Sequence, residues 1–197
     1  MMIRRWTGAA ALALLTVVTT ARAQDTYTID PVHSSLGFKV KHMMVSDVKG
    51  EFQGFSGTIT LDPKNIENSS VDVTIDAATI STRNEKRDGH LKSADFFDVE
   101  KFPTLTFKSK KVTKKGEQYV LIGDLTMHGV TKEIELPFTL TGPVTLPNGS
   151  VLGVSAATEI NRQDFGVSWN KTLDSGGVVV SDKVRLEIEV EAKKASS

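Results

Sequence analysis

Thr82-Arg83-Asn84-Glu85-Lys86-Arg87-Asp88-Gly89-His90-Leu91-Lys92-Ser93-Ala94-Asp95-Phe96-Phe97-Asp98 is the one long run of this chain that does not read as β-strand. Thr82 with Glu85 three residues on is a capping-box pattern, which predicts a helix starting there. The run sets a dense group of charges beside Leu91, Phe96 and Phe97. A single polar, aromatic-flanked insertion in an otherwise all-β chain suits a lid or mouth over a cavity.

Outward from this run, period-two alternation takes over on both sides. Upstream, Leu36, Phe38 and Val40, then Phe55, Gly57, Ile59 and Leu61, then Val71, Val73 and Ile75, alternate with polar or small residues. Downstream the pattern continues through Leu105 and Phe107, then Tyr119, Leu121, Gly123 and Leu125, then Ile134, Leu136, Phe138 and Leu140. Val154, Ala156, Thr158 and Ile160 follow, and Val184, Leu186, Ile188 and Val190 close the series. Lys115-Gly116, His128-Gly129 and Asn148-Gly149 fall between these segments, and Asn-Gly is the strongest type I′ hairpin signal of the three. Such up-and-down connectivity favours an antiparallel barrel or sandwich. Alternation alone fits a hollow barrel and a solid sandwich equally; Gly57, Gly123 and Ala156 leave room inside, yet glycine also marks bulges. Residues 193–197 read as a frayed tail.

The run 82–98, with Phe102-Pro103-Thr104-Leu105-Thr106-Phe107-Lys108-Ser109, resembles the YceI-like family of secreted, lipocalin-shaped proteins. Ile29-Asp30-Pro31-Val32-His33-Ser34, Val48-Lys49-Gly50-Glu51-Phe52, Gly123-Asp124-Leu125-Thr126 and Asn161-Arg162-Gln163-Asp164-Phe165-Gly166 resemble it too, in the family's order. The resemblance implies an all-β, eight-stranded antiparallel lipocalin-like barrel with a short helical lid and an elongated apolar tunnel. It further implies a polyisoprenoid or similar long-chain amphiphile as guest, and a homodimer, for which no residue here points to an interface. True lipocalins carry Gly-x-Trp near the first strand. The segment after the leader has none, and its one tryptophan, Trp169, sits late. No lipocalin residue assignments are transferred.

The N-terminus reads as an export signal. Arg4 and Arg5 form a positive start, residues 9–18 an apolar core, and Ala21-Arg22-Ala23 a cleavage site. The apolar run is shorter than the ~20 residues of a spanning helix. Cleavage is expected after Ala23, by Sec export in preference to the twin-arginine route. Residues 24–197 then form one YceI-like barrel domain, periplasmic or secreted. Twenty-four basic residues less the three leader arginines leave 21 against 24 acidic ones, a net of −3. That balance speaks against nucleic acid, and gives no electrostatic reason to sit on anionic lipid. With no cysteine, disulfides, thiol catalysis, thiolate metal sites and a lipoprotein anchor are all excluded.

Chemistry finds little support in the pattern. His33, His42, His90 and His128 stand at no ligand spacing, so no metal is expected; His33 beside Asp30 and Ser34 reads as fixing the start of the first long strand. The chain has no GxSxG, GxGxxG or phosphate-loop pattern, so no cofactor and no catalytic residue is assigned. For the tunnel wall we select Leu36, Phe38, Val40, Phe55, Ile75, Ile80, Leu91, Phe96, Phe97, Leu105, Phe107 and Trp169. For the mouth we select Arg83, Asn84, Arg87, Asp88, His90, Arg162 and Asp164, because arginine donates bidentately to a diphosphate, carboxylate or amide head. Lys86 and Lys92 read as solvated helix face.

These residues fit an exported, soluble, non-enzymatic binding protein. It would carry or buffer a lipophilic small molecule such as an isoprenoid quinone, prenyl phosphate or fatty amide. It would not insert stably in a membrane, and a role in stress response goes with the family. The alternatives are a scavenger of toxic amphiphiles, an enzyme acting on a lipid or quinone through His33, His90 or Asp164, and a filled structural module.

Overall fold

Alternating apolar and polar residues become strands because the pleat sends successive side chains to opposite faces. The computed structural model describes residues 24–174 and 176–195. The strands are β1 (Asp25–Ile29), β2 (Ser35–His42), β3 (Ser46–Phe52), β4 (Phe55–Leu61), β5 (Ser70–Asp76) and β6 (Ile80–Ser81). After the helix α1 (Glu85–Lys92) come β7 (Thr104–Lys115), β8 (Gln118–Met127), β9 (Val130–Leu146), β10 (Gly149–Asn161) and β11 (Val180–Ala195). All pairings are antiparallel.

The short strands are halves of longer staves. β1 and β2 both pair with β11, β4 and β3 pair with β1 and β2 in turn, and β5 and β6 pair with β4 and β3. Counting each broken stave once gives eight, and the ring closes where β11 meets β1 and β2. This is the eight-stranded barrel expected, with its first three staves interrupted.

The interruptions lie side by side and satisfy their own polar groups. At the first, Pro31–His33 makes a 3-10 turn capped by Asp30. There the Ser34 hydroxyl donates to the Asp30 carbonyl at 2.7 Å and accepts from Glu191 N at 3.0 Å, standing in for the missing ladder. His33 Nδ1 lies 2.8 Å from Asp30 Oδ2, and Lys193 reaches the same oxygen. At the second, Gly54 N donates to Thr79 Oγ1 at 2.9 Å, within the third break at Ala77–Thr79. A Cβ on Gly54 would fall 2.7 Å from Thr79 Cγ2, so only glycine lets the two breaks meet.

Several sequence expectations are corrected here. The α1 N-cap is Asn84, whose side chain accepts from Arg87 N. Thr82 is not the cap: it is buried and bound to Asp88 from inside the helix. The β9–β10 turn is Pro147-Asn148, because Leu146 already pairs with Gly149. Proline suits the fixed negative φ of a turn's first central residue, which places the turn one residue before Asn-Gly. Residues 193–195 are not frayed: Lys193, Lys194 and Ala195 continue β11 against β10. The Gly57 and Gly123 positions hold no spare room, since Ile29 and Phe107 respectively close over them. Tyr27, in a strand the alternation did not reveal, is 1% exposed.

Candidate functional site

Inward-facing residues of the staves do not meet at the barrel axis. They enclose an apolar cavity of about 240 Å³, whose wall contains only two polar side chains, Ser69 and Arg162. A second chamber of about 400 Å³ adjoins it at the α1 end, sharing Phe38, Val40, Leu91, Phe96 and Val180. This vestibule is bounded by Lys41, His42 and Val48 of the β2–β3 hairpin, by Thr82, Asn84, Lys86, Arg87 and His90, and by Trp169 and Val179.

Nine of the residues selected for the tunnel lie on the inner wall: Leu36, Phe38, Val40, Ile75, Leu91, Phe96, Phe97, Leu105 and Phe107. Three do not. Phe55, directly opposite Ile75, packs instead with the cluster around Tyr27 and Ile59. Ile80 follows the 3-10 turn that breaks its stave's alternation, and is buried opposite Phe52. Trp169 lines the vestibule, its ring tilted at 41° to Phe96 with centroids 5.2 Å apart, and 4.9 Å from the His90 ring. Wall residues left out of the selection include Phe52, Met127, Val154, Ala156, Leu186 and Ile188. Alternation marks four of these, Val154, Ala156, Leu186 and Ile188, as inward, and that signal alone could have found them.

The mouth residues divide by what their donors already do. Arg87 Nε donates to Thr82 Oγ1 at 2.7 Å and Nη2 to the Thr82 carbonyl at 2.9 Å. Asp88 accepts from Thr82 N at 2.8 Å and from its hydroxyl. Burial pushes the Asp88 carboxyl up, but the Thr82 hydroxyl and amide, the Asn84 amide and Arg87 outweigh it and hold it below the usual carboxylate range. Thr82, Arg87 and Asp88 thereby lock α1 onto β6. His90 Nε2 lies 2.8 Å from Asp95 Oδ2, with its ring edge against Phe96 and Trp169. Asn84, Arg87 and His90 line the vestibule, whereas Arg83, exposed at φ 61°, and exposed Asp164 line neither chamber.

Arg162 stands apart. It is 4% exposed and belongs to the inner wall. Its Nε donates to Ser181 O at 3.0 Å, Nη1 to Val167 O at 2.5 Å, and Nη2 to Asp182 Oδ1 at 3.1 Å. Desolvation lowers its pKa, against the pull of Asp182. Most of its five donors are spent holding the 162–167 turn to the start of β11, which makes it a clamp.

One group of metal-ligating side chains occurs among the described residues: Asp30, His33 and Glu191, with ligand atoms within 4.8 Å of one another. It lies outside both chambers. Lys193 bonds Asp30 there and sits 3.4 Å from Glu191 Oε1. The Lys193 ammonium, then His33, hold the Asp30 carboxyl well below its usual range.

A closed ring of eight antiparallel staves around an apolar void, roofed by one helix, defines a lipocalin-shaped barrel. Residues 27–192 match the YceI-like domain, and the chain belongs to that family. The UPF0312 protein SA2479 of Staphylococcus aureus strain N315 is 37% identical over 167 residues, covering 84% of this chain and 95% of its own. A YCEI protein of Campylobacter jejuni is similar in structure, with TM-score 0.69 and 36% identity over 79% of this chain and 90% of that one. A polyisoprenoid binding domain from Saccharophagus degradans shares the fold at TM-score 0.61 and 15% identity, covering 85% of this chain and 98% of that one. Among the described residues no helix is long and apolar enough to cross a membrane.

Proposed function

We propose that this chain is an exported binding protein that carries or buffers a polyisoprenoid or similar long-chain amphiphile. The observation that carries the reading is the inner cavity, walled almost wholly by aliphatic and aromatic side chains. A tail moving from water into such a wall gains about 0.8 kcal/mol per methylene, so affinity accumulates without polar contacts. The name of the Saccharophagus degradans domain, which shares the fold, supports the same class of guest.

In this reading the tail lies in the inner cavity and the head group in the vestibule. Arg87 has Nη1 left over from its bonds to Thr82, and Asn84 and His90 stand on the same wall. Arg162, Arg83, Asp88 and Asp164 are not assigned to the guest: the first clamps a turn, Asp88 locks the lid, and the other two line neither chamber. The mechanism is desolvation and needs neither cofactor nor metal.

Export rests on the leader expected over residues 1–23, which lie outside the described residues. β1 begins at Asp25, so cleavage after Ala23 would remove nothing from the barrel. The test is to purify the protein gently from the exported fraction, read its N-terminus, and extract and identify its guest. A chain starting at Gln24 with a bound isoprenoid is the expected result. A full-length intracellular chain that no lipophile stabilises against heat would overturn the proposal.

The His90–Asp95 pair beside the cavity favours one second reading, an enzyme acting on a lipid or quinone. His90→Gln separates the two: a carrier keeps its guest and has no turnover to lose, whereas an enzyme binds as before and stops turning over.

A further inference from the structure

The β2–β3 hairpin ends in Met43, Met44 and Val45, which are 45%, 62% and 83% exposed. Three consecutive apolar side chains in water are unusual for a hairpin tip, where polar residues and glycine ordinarily stand. Their backbone makes them more so. Met43 and Met44 have φ of 50° and 61°, a left-handed conformation that costs a non-glycine residue about 1–2 kcal/mol each. The tip is nonetheless held in place: Met43 N donates to Val179 O at 2.8 Å, and Val45 N to His42 O at 3.0 Å.

Position gives this tip a purpose. His42, which directly precedes the tip, Val48 just beyond it, and Val179, to which Met43 is tied, are walls of the vestibule. The exposed apolar tip therefore stands on the rim of the opening that leads to the inner cavity. Below it Lys41 and Asp47 pair at 2.8 Å, and the vestibule's other lysine and its arginine, Lys86 and Arg87, stand on the vestibule wall and not on the tip. The tip itself carries no charge and no hydrogen-bonding side chain. A charged protein partner has nothing to read there, whereas the headgroup boundary of a bilayer accepts flexible apolar side chains to a depth of about 5–10 Å. Methionine adapts readily to such an irregular apolar surface.

We propose that Met43, Met44 and Val45 dock this protein reversibly on a phospholipid surface, presenting the vestibule mouth to the bilayer. The inference rests on the lipid-carrier reading for its purpose: a guest insoluble in water enters and leaves most readily where the mouth touches the phase that dissolves it. Three side chains give weak attachment, which suits a protein that must leave again.

Because the chain contains no cysteine, the test is clean. Val45→Cys, labelled with an environment-sensitive fluorophore, is mixed with palmitoyl-oleoyl phosphatidylcholine vesicles. Asn148→Cys, labelled likewise in the turn at the opposite end of the barrel, is the control. The expected result is a blue shift at position 45, none at 148, and loss of the shift when Met43→Asn and Met44→Asn are added. Asparagine tolerates left-handed φ, so the hairpin keeps its shape. No shift at 45, as for a tip that meets another protein, or equal shifts at both sites, overturns the proposal. Guest binding is measured separately by melting of the unlabelled protein with a prenyl alcohol. A protein that docks but takes up no lipophile would thus refute the carrier reading alone.

Discussion

Thr82 shows how one side chain can serve two neighbours. Its hydroxyl accepts from Arg87 and donates to Asp88, while its carbonyl takes a second bond from Arg87. The capping-box reading recognised a threonine with a structural task, but gave it the wrong partner. Asn84 is the better cap because it sits immediately before the first helical residue. We expect Asp88→Asn to destabilise the protein by about 1–3 kcal/mol, through weakened charge-assisted bonds to a buried threonine. Since the folded pKa of Asp88 is depressed, its stabilisation is complete above the unfolded value near 4 and fades as pH falls through the folded one. The urea midpoint of the unsubstituted protein should therefore drop more steeply as pH falls below about 4 than that of Asp88→Asn. Parallel curves would show that the carboxylate does not matter to the lid.

The hairpin of β2 and β3 illustrates what an element imposes on its residues. Gly50 lies directly across from Phe38, and a Cβ there would fall 2.4 Å from Phe38 Cζ and 2.8 Å from Thr82 Cγ2. The phenylalanine ring covers the glycine, and Thr82 closes from the other side. Gly50→Val must therefore push Phe38 off the wall shared by both chambers and disturb the Thr82 lock. We expect a lower melting temperature together with weaker uptake of a fluorescent lipophile; unchanged uptake would mean that Phe38 does not shape the passage. Alternation made β2, β4, β5 and β7 to β11 legible, β2 and β5 from three inward positions each and β7 from two. β1, β3 and β6 were not: β1 and β6, at five and two residues, give too few periods to read, and in β3 Gly50 interrupts the apolar series between Val48 and Phe52. The turn after β9 was misplaced by one residue, since pairing along the whole ribbon fixes register more strongly than a local Asn-Gly pair.

At the scale of the whole molecule, the void is the property to test. Ala156 is a small residue on the inner wall, midway along β10. Replacing it with tryptophan fills space without cutting a ladder, so the barrel should persist by circular dichroism while guest affinity falls. Retained affinity would place the guest elsewhere. Stripping bound lipid should lower the melting temperature of the unsubstituted protein, and adding a prenyl alcohol at a hundred times its dissociation constant should restore about 2.7 kcal/mol. Ala156→Trp should show neither change.

The sequence by itself determined which residues face inward on the long strands, where α1 lies, and that no thiol chemistry is available. These are local matters: the pleat has period two, and the charged run from Arg83 to Asp88 cannot form a buried strand. The tertiary structure alone decided that the staves close into a ring and that three of them break side by side. It also decided which inward residues reach the void, admitting Ala156 and Leu186 but not Phe55 or Ile80. It further showed that Arg162, read as a mouth donor, spends its hydrogens on backbone carbonyls and Asp182. A void is what remains after every surrounding side chain has packed, and a donor is free only when all its neighbours are known. Both are collective properties, and no window of sequence contains them.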